Sequence, residues 1–241
     1  NSMYYSNLIK QKEEIESLYE KSTYTNERLK EIIEELNRSK QELEKKNAEI
    51  QRFYYETILC LSKAIEYKDR YTKGHCERVV DVALKIADEL KLSDKEKDAL
   101  KIACLLHDIG KIGVREDILN KVEPLEKEEY EEIKKHPLIG YNIIKDLDFM
   151  DRIQKVILQH HERVDGKGYP YGLKDDEIDL LARIIAVADA YDAMTSDRPY
   201  RKAFKKDHAL QELIRCAGTQ FDKLIVEKLI ALAQKGIVMF L

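Results

Sequence analysis

An apolar run, Leu105-Leu106, ends in the adjacent pair His107-Asp108, and Lys111 follows one helical turn later in Ile109-Gly110-Lys111-Ile112-Gly113. Neighbours in a helix do not share a face, but at a helix end both groups can be aimed into one cavity. There a carboxylate can bridge two metal ions while the imidazole holds one of them. Gly110 and Gly113 are expected to let the backbone turn away at once. Taken alone, the pair reads more readily as a buried His bonded to a buried Asp. What changes the weighing is the number of similar clusters downstream. Five of the six histidines (75, 107, 136, 160 and 161) fall at predicted helix starts or ends, and only His208 lies in an unremarkable charged context.

With Asp108 and Asp189 these make five imidazoles and two carboxylates, more than one four-coordinate site needs. Two ions sharing a bridging carboxylate fit that count better. Nitrogen and oxygen ligands without thiolate suit iron, manganese or similar ions. Such a pair, about 3.5–4 Å apart, is a device for phosphoester hydrolysis: it acidifies a bridging water and clamps a phosphate oxygen for in-line attack. The phosphate needs cations, for which Lys111, Arg198 and Arg201 are candidates. A solvated basic loop is the other reading of the two arginines. Gly166-Lys167-Gly168-Tyr169-Pro170 follows His160-His161-Glu162 closely. Its glycines, Gly168 among them, permit close approach to a ligand, and Tyr169 can stack on a base or bond a phosphate.

The elements that must position these groups read as helices, and no convincing strand is visible, so the predicted class is all-α. Nine glycines and four prolines in 241 residues, with 8% aromatics and no Trp, argue against a turn-rich sheet protein. A net charge of only −4 gives no sign of DNA or RNA binding. Cys60, Cys76, Cys104 and Cys216 lack metal-type spacing and read as reduced thiols of a cytosolic protein. No signal peptide or membrane span is visible.

Residues 1–73 contain neither Gly nor Pro. A heptad stripe runs Leu8, Ile15, Ser22, Leu29, Leu36, Leu43, Ile50, Thr57, and a half-polar second stripe runs Gln11, Leu18, Thr25, Ile32, Ser39, Lys46, Phe53, Cys60. This predicts a coiled-coil helix roughly 75 Å long. A parallel homodimer through residues 8–57 is the simplest way to bury the stripe. A solvated helix packed on its own domain is the alternative. The expected division is a coiled-coil signalling helix over 1–57 and a globular domain over 58–241. In the latter, predicted helices span His75–Leu90, a capped start at Ser93 to Leu106, Leu125–Lys135, one opened by His136-Pro137, Arg152–Gln159, Leu180–Met194, 207–216 and 222–235.

His107-Asp108 with Lys111, His136-Pro137, His160-His161-Glu162 and Asp165-Gly166-x-Gly168-Tyr169-Pro170 together resemble the HD-GYP domain, a branch of the HD phosphohydrolases. The resemblance extends through Ala188–Arg201 and Gly218–Asp222 and covers roughly residues 55–235. It implies an all-helical domain that hydrolyses the bacterial second messenger cyclic di-GMP to pGpG, and often on to GMP. Two or three divalent ions would serve it, usually iron or manganese, with Ni, Co, Mg or Zn in preparations. His75, His107, Asp108, His136, His160, His161 and Asp189 fall where the family has metal ligands, Asp108 as the bridge. Lys111, Tyr169, Arg198 and Arg201 fall where it contacts phosphate or guanine. Tyr71 stands where some members carry a Glu that ligates a third ion, so two ions are expected; His161 shares in the third site of such members. The resemblance further implies an upstream sensor domain, a bacterial cytoplasmic location and a full-length protein open to membrane tethering. An enzyme acting on another signalling nucleotide, or a silent nucleotide- or protein-binding module, are the alternatives.

Overall fold

The computed structural model describes residues 2–69, 73–147, 150–197 and 202–238. Asn1–Tyr54 form one compact unit and Tyr55–Leu241 another. No strand occurs among the described residues, and the all-α expectation is borne out. No helix there is long and apolar enough to cross a membrane.

Helix α1 (Ser2–Lys68) supplies the whole first unit. Free of Gly and Pro, it is held by backbone bonds and by exposed pairs such as Arg28–Glu31 (2.8 Å), each worth a few tenths of a kcal/mol. Its heptad residues lie on the surface: Leu36 is 66% and Ile50 62% exposed.

In the second unit the last turns of α1 bury Ile58, Ser62 and Ile65, one helical face. Helix α2 (His75–Glu89) begins after Gly74, which takes φ 69°. Glu66 of α1 accepts from the Gly74 and Cys76 amides (2.8 and 2.9 Å), so α1 caps α2. The buried stripe Val79, Val82, Ala83, Ile86 packs α2 against α3 (Asp94–Leu106) and α8 (Leu180–Thr195). Ser93 and Glu96 form the expected capping box on α3. A 3-10 helix, Ile109–Gly113, and the short α4 (Glu116–Leu119) follow, neither expected. The charged helix α5 is shorter than expected, Lys127–Ile133, because the Glu129 carboxylate bonds the Glu126 amide and starts the helix there. Helices α6 (His136–Ile144), α7 (Asp151–Gln159), α9 (Lys206–Cys216) and α10 (Lys223–Gln234) complete the unit close to their predicted ranges.

The expected role of Gly110 needs correction. The chain does not turn away there but enters the 3-10 helix. Gly110 is required because a Cβ would overlap the His136 carbonyl and crowd the Gly140 amide. Bare backbone lets α6 lie directly on the HD element, which brings His136 to Asp108.

Candidate metal centre

Three histidines are aimed by one device. His107 follows α3, His136 opens α6 just after α5, and His160 follows α7. The Nδ1 of each lies against the carbonyl three residues earlier: Cys104 (2.7 Å), Ile133 (2.7 Å) and Ile157 (2.6 Å). Helix-end carbonyls lack intrahelical partners, so each ring satisfies one by donating from Nδ1. That fixes the tautomer and leaves the Nε2 lone pair facing inward. His75 is held differently. Its Nδ1 meets Asp192 Oδ2 at 2.7 Å and its Nε2 lies 3.3 Å from Asp189 Oδ1. Both carboxylates sit on one face of α8, three residues apart.

Two trios result, His75–His107–Asp108 and His136–His160–His161, each with donor atoms within 4.8 Å of one another. Asp108 spans them: Oδ2 is 3.4 Å from His107 Nε2 and Oδ1 is 3.5 Å from His136 Nε2. The rings form a continuous series with neighbouring centroids 4.1–5.5 Å apart. All seven predicted ligands therefore converge, Asp189 joining through His75.

The electrostatics differ between the trios. Burial opposes charge on His75, but hydrogen bonds to Asp189 and Asp192 overcome it and raise its pKa to about 9. Burial lowers His136 to about 4 against the pull of Asp108, and lowers His161 to about 3 with His136 adding to it. Burial, with His161 and His136 alongside, holds His160 well below its ordinary value. Asp108 and Asp189 resist the upward push of burial and stay well below the carboxylate range, Asp108 beside Lys111 and His107, Asp189 bonded to His75.

This donor set fits divalent cations. His107 Nε2 is buried and has no hydrogen-bond partner among the described residues. His136 and His160 face each other Nε2 to Nε2 at 3.1 Å. With both Nδ1 protons given to carbonyls, two lone pairs confront one another, an arrangement a cation relieves. Nitrogen and oxygen donors without a thiolate match iron- or manganese-type ions.

Lys111 Nζ lies 2.8 Å from Asp108 Oδ2 and 3.0 Å from Asp69 Oδ2. Burial works against its charge, yet the two carboxylates raise its pKa, so it stays an ammonium. Tyr169 lies against His161 (centroids 4.8 Å apart, 32° between planes), and burial raises the pKa of its hydroxyl. Its peptide bond to Pro170 is cis. Gly168 presses on its own chain: a Cβ would overlap the Glu162 and Arg163 backbone. A cleft runs from His160, His161 and Asp189 past Tyr169 to Tyr130 and Phe221. Arg198, Arg201 and Tyr71 lie outside the described residues.

Sequence reasoning missed the residues behind the site. Asp192 orients His75 and is itself gripped by Arg78 through Nε and Nη2, the latter at 3.1 Å. Its place one turn after Asp189 was the available signal. Glu162, 4% exposed, accepts from the Tyr171 and Leu173 amides (2.7 and 3.0 Å) and so shapes the Gly-Tyr-Pro loop.

A family model described as HD domain matches residues 59–225. The chain belongs to the HD domain family. The chain is 40% identical over 184 residues to the cyclic di-GMP phosphodiesterase response regulator RpfG of Xanthomonas campestris, covering 76% of this chain and 49% of that protein. It is 36% identical over 214 residues to a cyclic di-GMP phosphodiesterase of Thermotoga maritima, covering 88% and 58%. The chain thus spans about half the length of these curated relatives. Among solved structures, a cyclic GMP-AMP specific phosphodiesterase of Vibrio cholerae superposes with TM-score 0.60 at 21% identity, over 75% of this chain and 48% of that one, which supports the fold.

Proposed function

We propose that this HD domain hydrolyses cyclic di-GMP to pGpG, with GMP as a further product, on a centre of two divalent ions, iron or manganese. The observation that carries the reading is Asp108 reaching both trios through its two oxygens. The names of the relatives supply the substrate class. His75, His107 and Asp108, with Asp189, would hold one ion; His136, His160 and His161, sharing Asp108, would hold the other. When bound, such ions supply acidification of water and polarisation of phosphate oxygens.

The chain's own groups do the rest. Buried Lys111 keeps its proton and offers fixed positive charge to a phosphate beside Asp108. Tyr169, tilted against His161, gives a base a surface to stack on and a hydroxyl to donate. The Gly166–Pro170 loop, held from beneath by Glu162, walls the cleft, and Arg198 and Arg201 add phosphate contacts. Residues 1–57 act as a coiled coil that pairs two chains in parallel through residues 8–57 and carries input from an upstream sensor in the bacterial cytoplasm; residues 58–241 form the catalytic domain.

The test is turnover of cyclic di-GMP by anaerobically Mn- or Fe-loaded protein, with pGpG resolved by chromatography and other cyclic dinucleotides in parallel. Formation of pGpG that Asp108→Ala removes supports the reading. Faster turnover of another cyclic dinucleotide would replace the substrate, and no turnover with either metal would leave a silent binding module.

A further inference from the structure

Lys68, the last residue of α1, and Asp69 just after it reach the HD element through their side chains. The Lys68 ammonium donates to three carbonyls, those of Lys111 (3.2 Å), Ile112 (2.6 Å) and Val114 (2.6 Å). The first two belong to the 3-10 helix, and the Lys111 carbonyl also accepts from the Val114 amide at 3.1 Å. Asn120 Nδ2 donates in turn to the Lys68 carbonyl at 2.9 Å, so the contact is closed from both sides. The next residue, Asp69, is only 6% exposed and accepts from Lys111 Nζ at 3.0 Å. The same ammonium lies 2.8 Å from Asp108 Oδ2.

Lys111 therefore stands between two carboxylates, one on each element. An ammonium on a flexible four-carbon stem, buried beside a single carboxylate, closes onto it as a full ion pair. Such a pair would engage Asp108 Oδ2, the oxygen facing His107, and compete with any other cation for it. At 2.8 Å Lys111 already contacts Asp108 Oδ2; the second carboxylate, 3.0 Å away on the far side, shares its charge and weakens that hold. The Lys111 backbone, meanwhile, is pinned by Lys68.

We infer that Lys68 and Asp69 are positioning residues of the site: Lys68 fixes the backbone of residues 111–114, Asp69 fixes the Lys111 ammonium, and the end of α1 thereby sets the Lys111–Asp108 pair. The consequence for catalysis rests on the function proposed above. The geometric part does not. Any displacement of the last turn of α1 then reaches Lys111 and its flanking backbone through four hydrogen bonds, three from the Lys68 ammonium and one from Lys111 to Asp69.

The test uses the full chain with four changes: Asp69→Asn, Lys68→Met, Lys68→Arg and Lys111→Met. Asp69→Asn should lower kcat on cyclic di-GMP about tenfold with KM within about twofold, and weaken Mn(II) retention. In a Lys111→Met background it should cost nothing further, since its effect passes through Lys111. Lys68→Met should raise amide exchange over residues 109–115 several-fold with α8 unchanged, and Lys68→Arg should restore protection. Unchanged kcat and Mn(II) retention in Asp69→Asn, an added loss in the Lys111→Met background, or unchanged exchange in Lys68→Met overturns the inference. If the unmodified protein hydrolyses no cyclic dinucleotide, the function fails on its own account, and the exchange and Mn(II) arms alone decide the positioning roles.

Discussion

The His75–His107–Asp108 trio and the His136–His160–His161 trio meet at one carboxylate yet differ in charge and in how their imidazoles are oriented. In the first, His75 is gripped by two carboxylates of α8 and holds a proton up to about pH 9. In the second, every ring is held without charge, and two of the three are oriented by backbone carbonyls alone. The first trio thus carries a carboxylate of its own, while the second has none among its members and meets Asp108 at His136 and the charge of Asp189 at His161. The difference teaches that Asp108 serves the two halves unequally: it is a member of the first, whereas the second is built of imidazoles and takes its negative charge from carboxylates outside the trio.

The largest expected break is Asp108→Ala. It should cut cyclic di-GMP turnover about a thousandfold or more and remove bound metal from the all-imidazole trio first. Metal analysis alongside the assay checks both. Next comes Gly110→Ala, which forces a methyl into the His136 carbonyl and separates the trios. A loss of at least about 3 kcal/mol in chemical denaturation is expected, beyond ordinary overpacking because backbone is what gets struck.

Asp192→Asn sharpens the comparison without removing a ligand. Losing the carboxylate that orients His75 should weaken one ion by about 10–100-fold and leave the other. Two-phase Mn(II) titration would show it, and equal weakening of both ions would count against separate halves. The smallest effect is on metal-free stability against pH. His136 and His161 keep values of about 4 and 3 in the fold against an ordinary 6.5, so below about 6.5 the unfolded chain binds more protons and acid destabilises. His75 runs the other way. With a folded value of about 9 its contribution is complete below 6.5 and is lost as pH rises towards 9. Tm should therefore peak near pH 6.5, and His75→Gln should flatten only the alkaline side.

Much of this was legible in the sequence, for identifiable reasons. The helices followed from 3.6-residue periodicity and from Ser93, Gly74 and Pro137 as punctuation. The ligands could be collected because His and Asp at helix ends are rare enough to count. What escaped depends on distances no local pattern encodes. Asp192 becomes an orienting residue only because α2 and α8 pack together. Gly110 looked like a turn residue because glycine's two uses, positive φ and close approach, share one letter. Lys68 and Asp69 carry no local signal, because their roles depend on the 3-10 helix lying against them. The heptad stripe on α1 is plain in both sequence and surface exposure.

The central claim is that two trios, joined by Asp108, hold two ions. The most direct test is metal stoichiometry after anaerobic Mn(II) loading and desalting, for the unmodified protein, His75→Ala and His160→Ala. The account predicts two ions per chain falling to one in each variant. A single ion in the unmodified protein, or loss of both ions on either substitution, would contradict it.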